Sequence, residues 1–181
     1  RRTGGTWFLS DYAGRSQVRG QVLYWPRIRT VLSKERLAMQ QGPQAVEVVP
    51  GVYWVGAVDW AIRDFHGYLT SRGTSYNAYL IMAEKITLVD TVKGPFCQEM
   101  FARIASVIDP TRVDYIISNH AEMDHSGCLP QAIATLQPEK VFCSVMGARI
   151  LPKHFRLSQE LTPVKEGEVL SLGNLELTFL E

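Results

Sequence analysis

The stretch Ile117-Ser-Asn-His-Ala-Glu-Met-Asp-His-Ser-Gly127 decides how this chain is read. Four of the nine residues from Asn119 to Gly127 are His120, Glu122, Asp124 and His125, all able to bind a metal. The apolar run Val113-Asp-Tyr-Ile-Ile117 precedes them and Gly127-Cys-Leu-Pro130 follows. That order predicts a buried strand, a polar loop and then a helix. Catalytic groups often gather at the carboxyl ends of strands in such layouts.

The spacing has a geometric meaning. In an extended chain, positions 120, 122 and 124 project to one side. A rise of roughly 3.3 Å per residue would keep their side chains from sharing an ion. The loop must therefore curl so that all four converge. Four donors over-supply one ion when other segments also contribute, and two ions roughly 3.5–4 Å apart fit better. Imidazoles mixed with two carboxylates suit iron, manganese or zinc, and no thiolate is placed to select a softer metal. Singly, each residue has a plainer reading; Asp124, for one, would serve as a helix cap. As a cluster, the four point to a metal or catalytic site.

His-x-Glu-x-Asp-His after an apolar strand resembles the metal motif of the flavodiiron proteins, which join a metallo-β-lactamase-like domain to a flavodoxin-like one. Hydrolytic relatives in that superfamily carry His-x-His-x-Asp-His, so Glu122 departs from the hydrolases and matches the flavodiiron pattern. Four further blocks follow in the family's order: Asp59-Trp-Ala-Ile-Arg-Asp-Phe-His-Gly-Tyr68, Gly73-Thr-Ser-Tyr-Asn-Ala-Tyr-Leu80, Ile86-Thr-Leu-Val-Asp-Thr-Val92 and Ile104-Ala-Ser-Val-Ile-Asp-Pro110. The resemblance covers roughly residues 46–181 and implies an αββα sandwich of which this chain is the N-terminal part. It also implies a diiron centre reducing dioxygen to water, nitric oxide to nitrous oxide, or both, a choice the motif does not make. His120 and Glu122 would bind one iron, Asp124 and His125 the other, although some members leave the last histidine unbound. FMN would come from a later flavodoxin-like domain, facing the irons across a head-to-tail homodimer. The electron donor would be rubredoxin or a flavin reductase.

Two other residues gain roles from the likeness. Asp90 ends an apolar strand; by resemblance it supports the metal loop from behind, where a carboxylate can orient ligand imidazoles, and otherwise it is a strand-end cap. His66 resembles the family's pocket histidine, near the metals without binding them, and an imidazole titrating near neutrality can donate a proton there. Its plainer reading is a half-buried, hydrogen-bonded histidine. His154, in Pro152-Lys-His-Phe155, has no ligand-type neighbours and reads as structural.

Composition agrees with a soluble α/β domain: 181 residues, 46% hydrophobic and 20% charged, match ordinary globular usage. No apolar run approaches the roughly 20 residues that span a bilayer, and no signal peptide is visible. Cys97, Cys128 and Cys143 form no CxxC and read as reduced, mostly buried thiols of a cytoplasmic protein. Neither nucleic acid nor membrane is expected as a partner. No GxGxxG, P-loop or serine elbow is present, and aromatics are not interleaved with basic residues.

The chain divides in two by charge. Residues 1–38 carry eight Lys and Arg against Asp11 and Glu35, whereas the remainder is net acidic. The arm lies outside the resemblance, and Met39 leads directly into it. Residues 1–38 are therefore read as a basic extension outside the natural fold, and 39–181 as the N-terminal part of the diiron domain. Leu175-Glu-Leu-Thr-Phe-Leu180 alternates as a half-buried strand and stops at Glu181. The family's remaining ligands would lie beyond it, so the fragment alone is expected to be unstable and inactive.

Between these ends the pattern predicts a hairpin over 45–58 turning at Pro50-Gly51 and a second over 76–92 turning at 83–85. Helices are predicted over 96–108, 126–136 and 147–155, and strands over 113–118, 141–144, 164–170 and 175–180. Two competing functions remain: a dizinc hydrolase of the thiolesterase or lactamase kind, disfavoured by Glu122, and a non-catalytic fragment with a half-built site.

Overall fold

A computed structural model of the chain describes residues 42–180 and the backbone of one hairpin before them. The chain divides into two units, Arg1–Ala38 and Met39–Glu181. In the first, β1 (Arg15–Val18) pairs antiparallel with β2 (Gln21–Tyr24), where the sequence pattern suggested no element. The reading of residues 1–38 as a basic extension otherwise falls outside the described residues.

The second unit is built on a mixed sheet. Its strands are β3 (Val46–Val49), β4 (Val52–Trp54), β9 (Tyr79–Ile81), β10 (Thr87–Val89), β11 (Tyr115–Ser118), β12 (Lys140–Ser144) and β13 (Leu161–Val164), in the order β13-β12-β11-β10-β9-β4-β3. The four strands β10 to β13 run parallel, and the other three pair antiparallel. Ile116-Ile117 and Val141-Phe-Cys143 lack hydrophobic alternation because strands in the parallel half are buried on both faces. Ile116 and Val141 join the larger core, with Met100 and Ile104 of helix α1 (Cys97–Ala105). That core also takes Leu129, Ile133 and Leu136 of helix α3 (Leu129–Leu136). Their neighbours Ile117 and Phe142 point the other way and pack with Val164, Leu170, Leu177 and Phe179. The sheet therefore carries helices on one face. Against the other packs the hairpin of β14 (Val169–Ser171) and β15 (Glu176–Thr178).

Several expectations are corrected. Residues 45–58 do not form one hairpin: β3 and β4 do, while β5 (Ala57–Asp59) leaves the sheet to pair with β8 (Thr74–Tyr76). Residues 164–170 are not one strand, because Lys165-Glu-Gly-Glu168 turns between Val164 and Val169, with Gly167 in the left-handed region at φ 78°. The helix expected over 126–136 is two. Helix α2 (Met123–Ser126) closes with the Gly127 N–H donating to Met123 O; the Cys128 N–H goes instead to Val92 O. Helix α3 then restarts with Pro130 in its first turn, where a missing N–H costs nothing.

The cysteine reading is also overturned. Cys97, the first residue of α1, and Cys128, just before α3, form a disulfide with Cα atoms 5.5 Å apart. Helix packing brings together two residues 31 positions apart, which no spacing motif announces. Cys143 remains a buried thiol, and burial pushes its pKa up to about 11. No described helix is long and apolar enough to cross a membrane.

Candidate metal centre

The loop 119–125 leaves the carboxyl end of β11, the middle of the parallel half of the sheet. Glu122 is extended and caps α2 by position, so Asp124 and His125 lie within the helix rather than before it. The alternative reading of Asp124 as the helix cap is thereby excluded. Ser126 is fully buried, and its hydroxyl is shared between the carbonyls of Ala121 and Glu122 at 2.8 and 3.0 Å. That bond curls the chain between His120 and Asp124.

The loop's other wall is the chain after β10. Asp90 Oδ1 accepts from the N–H groups of Asn119 at 2.7 Å and His120 at 3.2 Å. Thr91 clamps the His125 carbonyl with both its N–H (3.0 Å) and its hydroxyl (2.6 Å). Gly127 allows the close approach. A Cβ there would lie 2.8 Å from the Gly94 nitrogen and 2.4 Å from the Met123 oxygen, both backbone atoms. Asp90 itself is left-handed at φ 58°, a strained state for any residue with a side chain. Burial pushes its carboxyl up, opposed by the Asn119 N–H and by His125, the His120 N–H and the His120 imidazole.

The four donors of the motif come together, and His66 joins them. His66 sits at the tip of a small hairpin, β6 (Asp64–Phe65) and β7 (Tyr68–Leu69), also with a left-handed backbone at φ 52°. Donor atoms of His66, Glu122 and Asp124 all lie within 4.8 Å of one another. His66 Nε2 and His120 Nε2 approach Glu122 Oε2 at 3.4 and 3.5 Å. His125 Nε2 lies 3.4 Å from Asp124 Oδ2, and the rings of His120 and His125 meet edge to face at 5.4 Å. His125 Nδ1 is buried and faces Asp90 Oδ2 at 3.5 Å without a hydrogen bond.

This donor set suits a cation. Two carboxylates crowded together repel unless positive charge compensates them, and imidazole with carboxylate matches iron, manganese or zinc. Glu122, Asp124, His120 and His125 can hold metal, and the placement of His66 lets it serve as a donor or as a neighbour. They open on a cavity of about 680 Å³ that also takes in Lys93 and, from helix α4 (Val145–His154), Met146, Ile150 and His154. His154, read as structural from the sequence, therefore shares the cavity. Lys93 and Ser126 carried no sequence signal, because their relevance depends on packing rather than on motif spacing.

The chain resembles known proteins in the same region. The family model described as ODP family beta lactamase matches residues 74–181. A rubredoxin-oxygen oxidoreductase of Megalodesulfovibrio gigas is 49% identical over 140 residues, which is 76% of this chain and 35% of that protein. A nitric oxide reductase of Moorella thermoacetica is 44% identical over 141 residues, again 76% and 35%. The solved flavodiiron protein from Giardia intestinalis is 36% identical, with a TM-score of 0.70 over 75% of this chain and 33% of its own. The chain thus spans about a third of the length of these relatives.

Proposed function

The chain belongs to the flavodiiron proteins, within the ODP family of beta-lactamase-like domains, and on that premise we propose that it is part of an oxidoreductase reducing dioxygen to water, nitric oxide to nitrous oxide, or both. The observation that carries this reading is the convergence of Glu122 and Asp124, whose donor atoms lie within 4.8 Å, with His120 Nε2 3.5 Å from Glu122 and His125 Nε2 3.4 Å from Asp124. A glutamate at position 122 offers a hard anionic donor, which suits iron better than the imidazole-rich set of a zinc hydrolase.

In this reading His120 and Glu122 bind one iron, Asp124 and His125 the other, and Asp90 holds the loop through the backbone of Asn119 and His120. An iron pair held by these residues would supply the electrons that reduce the gas, and on this reading their replenishment falls to an FMN domain fed by rubredoxin or a flavin reductase in a head-to-tail homodimer. His66 presents Nε2 3.4 Å from Glu122 Oε2 at the mouth of the cavity, where it is placed to pass a proton toward a bound gas. Met146 and Ile150 add an apolar wall to the cavity beside these groups.

The test is Glu122→Ala in the intact protein. We expect iron content to fall below one per chain and gas consumption to drop by at least 10²-fold, with the fold retained. Full iron and normal turnover refute the assignment, and zinc with thioester hydrolysis points to the hydrolase instead. Residues 1–38 are proposed to lie outside the working fold, so starting the protein at Met39 should leave iron content and turnover within twofold. A large loss of either shows that the arm belongs to the enzyme.

A further inference from the structure

Beneath the His66 hairpin lies a buried polar pair that the site chemistry does not use. Asp59 ends β5 and Tyr76 ends β8, and among the described residues these two strands form a sheet of their own. Tyr76 is wholly buried, and its hydroxyl donates to Asp59 Oδ2 at 2.9 Å. Asp59 Oδ1 accepts from the N–H groups of Ala61 and Ile62 at 3.0 and 3.1 Å. One carboxylate thus ties the floor of the core to the turn that launches the hairpin. The turn passes the constraint on: the Ile62 carbonyl accepts from the Thr70 hydroxyl at 3.0 Å, and the Arg63 carbonyl from the Thr70 N–H at 2.9 Å. Residues 62–63 and 70 bracket β6 and β7, so the root of the hairpin is held from below.

Its tip is held by the same tyrosine. The Phe65 ring packs edge-on against Tyr76 at 6.2 Å and against the His66 ring at 4.2 Å. Tyr76 also packs against Phe96 with ring centroids 5.3 Å apart and planes tilted by 58°, so the phenol contacts both the hairpin and the segment leading into α1. The hairpin needs this support. It has two residues per strand, its second strand Tyr68–Leu69 is exposed, and His66 at its tip keeps a strained left-handed backbone. A two-stranded hairpin of that size has no stability of its own.

We propose that Asp59 and Tyr76 are positioning residues that hold His66 against Glu122, acting through the 59–62 turn and the Phe65 ring. The proposal rests on the proton-donor reading of His66. Tyr76→Phe removes only the hydroxyl and keeps the ring contacts. Asp59→Asn retains an acceptor for the turn and offers an amide N–H that the Tyr76 oxygen can accept, so it serves as the conservative rescue.

The experiment uses the intact, iron-loaded protein and has two arms. Kinetically, Tyr76→Phe should lower kcat about tenfold with KM and iron content unchanged, because a displacement of about 1 Å can cost up to 10²-fold. Asp59→Asn should lose less than threefold. Combined with His66→Ala, Tyr76→Phe should cost nothing further, because a positioning residue has no effect once the group it positions is gone. Multiplying losses in the double variant overturn the proposal by showing a general structural role. Structurally, a crystal structure of Tyr76→Phe should show His66 Nε2 moved beyond 4 Å from Glu122 Oε2. An unmoved imidazole overturns the proposal whatever the kinetics. If His66→Ala alone leaves turnover normal, the proton-donor reading fails, and the crystallographic arm still decides whether the pair positions the histidine.

Discussion

Asp90 does two things at once, and a short series of substitutions separates them. Its carboxylate accepts two backbone N–H bonds from the metal loop, and its backbone is left-handed at φ 58°. Bonds to a charged group are worth about 1.5–3 kcal/mol each. Burial works against this carboxylate, so about 1 kcal/mol apiece is the fitting value here. An alanine loses both bonds, about 2 kcal/mol, and costs about 1 kcal/mol more because it lacks the short polar side chain that eases aspartate into the left-handed region. Glycine loses the bonds but tolerates the backbone, for about 2 kcal/mol in all. Asparagine keeps the acceptor and the backbone preference and forfeits the charge, about 1 kcal/mol. The readout is hydrogen exchange over residues 115–128 in the intact protein. At 1.4 kcal/mol per tenfold, Asp90→Ala should speed exchange of the Asn119 and His120 amides about 100-fold, Asp90→Gly about 30-fold and Asp90→Asn about fivefold. Equal effects for Ala and Asn would refute the hydrogen-bond account, and Gly no better than Ala would refute the backbone account.

Two further outcomes follow from the core. Burial pushes the Asp59 carboxyl up, but the Tyr76 hydroxyl and the N–H groups of Ala61 and Ile62 outweigh it and hold the group below the ordinary value of 3.8. A depressed folded value means stability that is present above pH 3.8 and lost as pH falls through the lower folded value. The melting-temperature gap between the natural protein and Asp59→Asn should therefore narrow below pH 4, and a gap independent of pH contradicts it. For the cysteines, alkylation and peptide mapping without reductant should find Cys97 and Cys128 linked. Cys143 should be unlabelled at pH 8 in the native state and labelled after unfolding, because its buried thiol is held near 11. Free Cys97 in that map would remove the bridge.

The sequence by itself determined the sheet-forming runs and the loop that gathers four metal-binding residue types. Apolar strands such as Tyr115–Ser118 and the stripe of Phe96, Met100 and Ile104 are local periodicities, and four donors within six residues are brought close by the chain itself. The family likeness rested on the same local blocks. Local pattern was less able to say where elements break. Gly127-Cys128 splits a helix because Val92 takes the Cys128 N–H, and β5 leaves the sheet because β8 is its partner. Only the tertiary structure brought His66 to within 3.4 Å of Glu122 across 56 positions, set Asp59 against Tyr76, and joined Cys97 to Cys128. Such contacts are set by which faces the whole core buries together, and that is a property of the packed sheet and helices rather than of any window along the chain.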